Sequence, residues 1–157
     1  MPKYRLSQKS LKNLEYVHED LCLIVHRAID ITDCDFMVFE GLRTVERQKL
    51  LVKSGASRTM RSRHLTGHAI DLVPMLNGEP RWDWPLCYRV ASAVRVAAQE
   101  YHTPVVWGGV WDRCLNGLEK ELDDEVSDYI FRCRHDNIKP FVDGPHYELP
   151  RESYPAS

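Results

Sequence analysis

Apolar side chains recur at helical spacing through Leu21, Ile24, Val25, Ala28 and Ile29, which predicts an amphipathic helix after a short polar-apolar segment at Ser7 to Tyr16. Asp35 to Glu40 reads as a strand. Thr44 is a helix start, the helix running to Lys53 with Gly55 just past its end as a C-terminal cap. From Ala69 to Val73 the period changes to two: Ala69, Asp71 and Val73 share one face of a strand, and Ile70 and Leu72 point to the apolar side. A Pro/Gly/Asn loop from Pro74 to Pro80 then leads to a helix near Trp84 to Tyr101 carrying Leu86, Val90, Ala93, Val94 and Ala97. Val105 to Trp107 reads as a third strand. Leu115, Leu118, Leu122, Val126 and Ile130 keep helical spacing, and His146 and Glu148 share one face of a last strand with Tyr147 and Leu149 opposite. Without regular βαβ alternation, this order predicts an α+β domain: a small, mainly antiparallel sheet with flanking helices.

Length and composition add bounds. A chain of 157 residues has room for one domain and one core, with residues 112–142 as an inserted helical segment and 152–157 as a loose tail. No apolar run reaches the length of a membrane helix, and Met1 to Asn13 lacks the apolar centre of a signal peptide, so synthesis in a cytoplasm is expected, with no membrane insertion. Five dispersed cysteines without a Cys-x-x-Cys pair read as reduced, mostly buried thiols. A net charge of −2 argues against a nucleic-acid binder. Lys53, Arg58, Arg61 and Arg63 form a local basic patch, either a solvated loop or an attractor for acidic peptides. The acidic run Asp123, Asp124, Glu125 and Asp128 lacks the glycine and spacing of an EF-hand loop and reads as a solvated helix face.

The chemistry lies in Ser62-Arg63-His64-Leu65-Thr66-Gly67-His68-Ala69-Ile70-Asp71 and in Asp143-Gly144-Pro145-His146-Tyr147-Glu148. A catalytic zinc usually takes three protein ligands of imidazole nitrogen or carboxylate oxygen and keeps a position for water, and His64, Asp71 and His146 supply that set on an open sheet face. Gly67 allows a sharp turn that folds His64 back over Asp71. His68 follows His64 by four residues, but the strand pattern and the missing His-Glu-x-x-His glutamate argue against it as a ligand. Glu148 reads as support for His146, and Trp107 and Trp111 as core. Because the two histidines must be neutral to bind, metal loss and inactivation are expected below about pH 6.

These motifs resemble the zinc peptidase family of D-Ala-D-Ala carboxypeptidases, dipeptidases and L-alanyl-D-glutamate endopeptidases, with Ser-x-His-x-x-Gly-x-Ala-x-Asp from Ser62 to Asp71 and acid-x-x-His from Asp143 to His146. Glu40-Gly41-Leu42-Arg43-Thr44 with Gln48 looks like the family's Gly-x-Arg-[Ser/Thr] segment, and Trp107-Gly108-Gly109 like its Trp-Gly-Gly segment, which here continues Val110-Trp111-Asp112 rather than Asp-Trp. The overall likeness is to single-domain bacteriophage endolysins. The resemblance implies Asp143 as general base and then acid, Arg43 as the cation facing the developing oxyanion, and Ser62 as a substrate contact. It further implies zinc as cofactor and the peptidoglycan stem peptide as substrate, cut between L-Ala and D-Glu for host lysis. The expected route is synthesis in the host cytoplasm, holin-dependent export and action at the wall in the periplasm, as a monomer. Two alternatives stand beside this reading: a D-Ala-D-Ala carboxypeptidase and a non-catalytic zinc-binding module.

Overall fold

The computed structural model describes residues 2–155. Helix α1 (Gln8–Asn13) is capped by the Ser7 hydroxyl, and α2 (Glu19–Ile31) buries Leu21, Ile24, Val25, Ala28 and Ile29, the face its periodicity marks. Strand β1 (Phe36–Glu40) precedes α3 (Val45–Lys53), which starts where the Thr44 side chain accepts from the Arg47 N–H. Strand β2 (Ala69–Leu76) is longer than its alternating stretch. The expected loop at Pro74 to Pro80 is instead a hairpin, because Asn77 and Gly78 both take positive φ and turn β2 back onto β3 (Glu79–Pro80).

Helix α4 (Trp84–Tyr101) matches its expected span. Strands β4 (Val106–Trp107) and β5 (Val110–Cys114) form a second hairpin, of which β5 is not marked by alternation. Only the later part of the inserted segment is a long helix, α5 (Leu122–His135), since Leu115 belongs to a short 3₁₀ turn and Leu118 to an extended link. The acidic run is not simply a solvated face. Glu125 is buried and accepts from the Glu119 and Lys120 backbone N–H groups, while Asp123 and Asp124 complement the N-terminus of α5. Asp112 ties β5 to α5 through Arg132, at 2.8 and 2.9 Å.

Strand β6 (His146–Glu148) inserts between β2 and β4, giving the antiparallel order β1-β2-β6-β4-β5. One sheet face packs Ile70, Leu72, Trp107, Tyr147 and Leu149 against α2 and α4. The opposite face carries Glu40, Asp71 and His146 in one row across three strands, since Glu40 pairs in register with Asp71 and Asp71 with His146. A register shift after Val38 brings Glu40 into that row. Within the stretch read as a tail, Tyr154 donates to Asp20 at 2.6 Å and accepts from Arg63 at 2.7 Å; residues 156–157 lie outside the described residues. All five cysteines are free, and three of them are buried. Among the described residues no helix is long and apolar enough to cross a membrane.

Candidate metal centre and groove

Asp71 and His146 are direct cross-strand neighbours, so β-sheet register alone places their side chains together. His64 arrives from a 3₁₀ turn at Arg63–Thr66, whose start is capped by Ser62 and whose end is Gly67 at φ 75°. A Cβ at Gly67 would lie 2.3 Å from the Tyr16 carbonyl oxygen, so glycine is required there for space as well as for backbone conformation. The turn brings His64 Nε2 to 3.3 Å from Asp71 Oδ1, and His146 Nδ1 lies at the same distance from that oxygen.

The other ring nitrogens are committed. His64 Nδ1 bonds the Gly41 carbonyl at 2.8 Å, and His146 Nε2 bonds the Glu148 carboxylate at 2.8 Å. A nitrogen that donates outward turns the lone pair of its partner nitrogen inward, as outer partners do for metal-bound imidazoles. Among the described residues, His64 Nε2 and Asp71 Oδ1 are buried without a hydrogen-bond partner. Orphaned acceptors facing each other are costly unless a cation or proton lies between them. The three ligand atoms lie within 4.8 Å of one another. Tetrahedral zinc, with bonds of about 2.0–2.2 Å, sets neighbouring ligand atoms roughly 3.3–3.6 Å apart, the spacing of Asp71 to each histidine. The residues present therefore fit a zinc-sized ion.

Burial opposes charge on Asp71, but the His146 and His64 rings outweigh it and hold the carboxyl far below the usual range. Burial by itself would lower His146, yet Asp71 and Glu148 on either side push its imidazolium up to about 10. Asp143 moves the opposite way from Asp71: burial, then the Asp71 charge, raise it. Its side chain lines the groove, and no hydrogen bond to it occurs among the described residues. Cys87, behind the turn, is pushed up to about 12 by burial and then Asp143, which excludes a thiolate nucleophile there.

The Trp-Gly-Gly segment braces this acid. Trp107 Nε1 donates to the Gly144 carbonyl at 2.7 Å, Gly108 N–H to the His146 carbonyl at 2.8 Å, and Asp143 N–H to the Gly108 carbonyl at 2.9 Å. A Cβ at Gly108 would lie 2.1 Å from the Asp143 carbonyl oxygen. We expect Gly108→Ala to lower stability by about 1–3 kcal/mol. With Asp143 acting on the substrate, its activity should fall further, about a hundredfold, because a displacement of about 1 Å at a reacting centre can cost that much. Thermal melts and kcat on one preparation check both, and unchanged kcat would show that the turn does not position the acid.

Arg43 is nearly buried. Its Nε donates to Glu40 at 2.6 Å, its Nη1 to Gln48 at 2.7 Å, and its Nη2 pairs with Glu40 and lies 3.6 Å from Asp71. The pair with Glu40 holds the cation beside the cluster. Gln48 is fully buried and continues the network to Ser57 and Thr59. The Ser62 hydroxyl accepts from the His64 N–H at 3.2 Å and also lines the groove. His68 is turned away, with Nδ1 2.8 Å from the Thr66 hydroxyl.

Two readings of the sequence need correction. Arg63 is not part of a surface patch: it is buried and donates to the Leu149 and Tyr154 carbonyls, fastening the His64 turn to the chain beyond β6. Trp111 is not simply core, since it lines the groove and lies against His146, ring centres 5.0 Å apart. The alternation of β5 is too short to show which way Trp111 faces.

The cluster lies in an open groove of about 700 Å³ whose lining includes Trp111, Phe141, Phe39, Glu40 and Arg43. A sheet-lined groove with a candidate metal centre and an adjacent free carboxyl suits a metal-dependent hydrolase. Comparison with known proteins narrows the class. The family described as phage L-alanyl-D-glutamate peptidase matches residues 2–150. The chain is 29% identical over 151 residues to the L-alanyl-D-glutamate peptidase of Escherichia phage T5, covering 93% of this chain and 98% of that protein. It is 33% identical over 106 residues to the L-alanyl-D-glutamate peptidase of Listeria phage A118, covering 66% of this chain and 37% of that protein. The crystal structure of the Serratia marcescens L-Ala D-Glu endopeptidase ChiX superposes with a TM-score of 0.74 at 36% identity, covering 98% and 96% of the two chains. The chain belongs to the phage L-alanyl-D-glutamate peptidase family.

Proposed function

We propose that this protein is a zinc endopeptidase that hydrolyses the L-Ala–D-Glu bond of the peptidoglycan stem peptide during phage lysis. The observation that carries the metal assignment is the set His64, Asp71 and His146, whose inward atoms lie within 4.8 Å of one another, His64 Nε2 and Asp71 Oδ1 without hydrogen-bond partners among the described residues, while the outward nitrogens are already bonded. Family membership and the relatives' named activity support the bond. Bound zinc would lower the pKa of a water and polarise the scissile carbonyl.

The remaining work falls to the chain. Asp143 lines the groove with its carboxyl free of hydrogen bonds among the described residues; it takes a proton from the attacking water and returns it to the leaving amine of D-Glu. Glu148 is a poorer choice because it is engaged with His146. Arg43, fixed by Glu40 and Gln48, offers a cation that need not reorganise as negative charge grows on the carbonyl oxygen. The Ser62 hydroxyl oxygen accepts from His64, which leaves its hydrogen for a substrate carbonyl. The holin-dependent route from host cytoplasm to periplasm, and action as a monomer, complete the proposal on the strength of the endolysin likeness; lysis from the cytoplasm without a permeabilising partner would overturn that route.

The deciding experiment follows turbidity of outer-membrane-stripped Gram-negative cells with zinc-loaded, EDTA-treated and zinc-restored protein, with mass spectrometry of the fragments. Zinc-dependent lysis with new N-terminal D-Glu supports the proposal. Release of D-Ala alone would move the activity to a carboxypeptidase, and no lysis by a folded, zinc-loaded protein to a non-catalytic module.

Zinc uptake should also be linked to protons. In the metal-free protein, the raised His146 value contributes stability fully present below the ordinary histidine value of about 6.5 and lost as pH rises through about 10. Between those limits zinc must displace the His146 proton, so its apparent affinity should rise about tenfold per pH unit from pH 7 to 9, with about one proton released per ion. Calorimetry in buffers of different ionisation enthalpy reads the proton directly. Affinity independent of pH over this window would contradict the assigned His146 state.

A further inference from the structure

A row of stacked side chains leads away from the metal cluster. Trp111 lies on His146 with ring centres 5.0 Å apart, Phe141 stacks on Trp111 at 6.4 Å, and the Arg58 guanidinium sits 4.7 Å above the Phe141 ring. Arg58 is held further by a 3.3 Å bond to the Lys139 carbonyl, and the Arg61 carbonyl accepts from Arg151. Arg58, Arg61, Lys139 and Arg151 are exposed and line the same groove.

Charge along the groove is uneven. Of the groove's acids, Glu40, Asp71 and Glu148 are already engaged by Arg43, Arg47 and the two histidines, and Asp143 stands with Asp71 and the two histidines at the other end. Among the described residues, no carboxylate pairs with Arg58, Arg61, Lys139 or Arg151. The basic end is therefore uncompensated, within reach of substrate, and anchored through Ser57 and Thr59 to the same buried Gln48 that holds Arg43.

We propose that Arg58 and Arg61, backed by Arg151, form a subsite for the free carboxylate of the glutamate on the leaving-group side of the scissile bond. The inference rests on the L-Ala–D-Glu reading above. Its chemistry is simple: when alanine acylates the amino group of glutamate, both glutamate carboxyls remain, and only one can continue the peptide. The other is an anion at neutral pH unless it is amidated. A stacked, planar guanidinium suits it because Arg58 is held by its ring and carbonyl contacts and can still present paired N–H donors. The patch is thus a specificity element, and its members differ from those the sequence suggests: Arg63 is buried, and Lys53 does not line the groove.

The test uses two stem peptides that differ only in whether that glutamate carboxyl is free or amidated, with zinc-loaded wild type and the Arg58→Gln/Arg61→Gln variant. Wild type should prefer the free acid by about ten- to hundredfold in kcat/KM, mostly through KM, as expected for a charge-assisted hydrogen bond. In the double variant the preference should shrink below about threefold, with zinc content and melting temperature retained. Equal kcat/KM for the two peptides in wild type sinks the subsite alone, and this measurement needs no variant. A preference that survives in the double variant sinks the residue assignment. Cleavage of neither peptide by the zinc-loaded wild type sinks the bond assignment and the subsite with it.

Discussion

Asp71→Asn should weaken zinc binding on the order of a thousandfold and remove activity at micromolar zinc. Structural zinc sites bind with roughly 10–16 kcal/mol, so losing the only anionic member of a three-ligand set should forfeit a quarter to a third of that. The substitution preserves size, which separates the loss of a ligand from the loss of packing. It also removes the charge that both histidines face at 3.3 Å and that Arg43 approaches at 3.6 Å. His146 would then lose one of the two carboxylates that raise it and keep Glu148, so its imidazolium should fall from its raised value. Competition with a chromogenic chelator gives the affinity, and circular dichroism the fold. One equivalent of zinc bound with unaltered affinity would remove Asp71 from the ligand set.

The second large effect is confined to chemistry. Asp143→Asn should lower kcat by about 10²- to 10⁴-fold, the usual worth of a positioned general acid-base, while zinc affinity stays within about threefold because Asp143 is not one of the clustered ligands. Asparagine keeps the shape of the turn, whose hydrogen bonds run through backbone atoms of Asp143, Gly108 and His146. Glu148→Gln should show the reverse pattern. Weakening the carboxylate that orients His146 is expected to cost about 10- to 100-fold in metal affinity, with a smaller change in kcat once zinc saturates. If Asp143→Asn retained kcat within tenfold and Glu148→Gln lost it at saturating zinc, the two acids would have to exchange roles.

Much of the centre was legible before any coordinates, and the reason is local periodicity. The period-two pattern of Ala69 to Val73 puts Asp71 on the face opposite Ile70 and Leu72, and the pattern at His146 to Leu149 puts His146 and Glu148 opposite Tyr147 and Leu149; in the structure Ile70, Leu72, Tyr147 and Leu149 join the core while Asp71, His146 and Glu148 meet one another. Glycine marked positions that sterics leave to no other residue: Gly67 for its φ and the Tyr16 carbonyl, Gly108 for its approach to Asp143. Such signals survive in sequence because each is set by a few neighbouring residues.

Other features depended on segments distant in the chain, and no local pattern carries them. Register, not periodicity, set Glu40, Asp71 and His146 in one row, since sliding a strand by two residues preserves its faces but changes its partner. The Gly41 carbonyl that fixes the His64 tautomer, and the burial of Gln48 between Arg43 and the basic loop, exist only once β1 and α3 have packed beside the His64 turn. Arg63 and Arg61 are two residues apart and chemically alike. One is buried fastening the chain beyond β6 and the other is exposed on the groove, because the 3₁₀ turn begins only at Arg63 and Arg61 lies in the loop before its Ser62 cap. Local pattern marks which residues can bind a metal and which strand faces carry them, whereas packing between distant segments sets their partners, tautomers and neighbours, since those depend on the closure of long-range contacts.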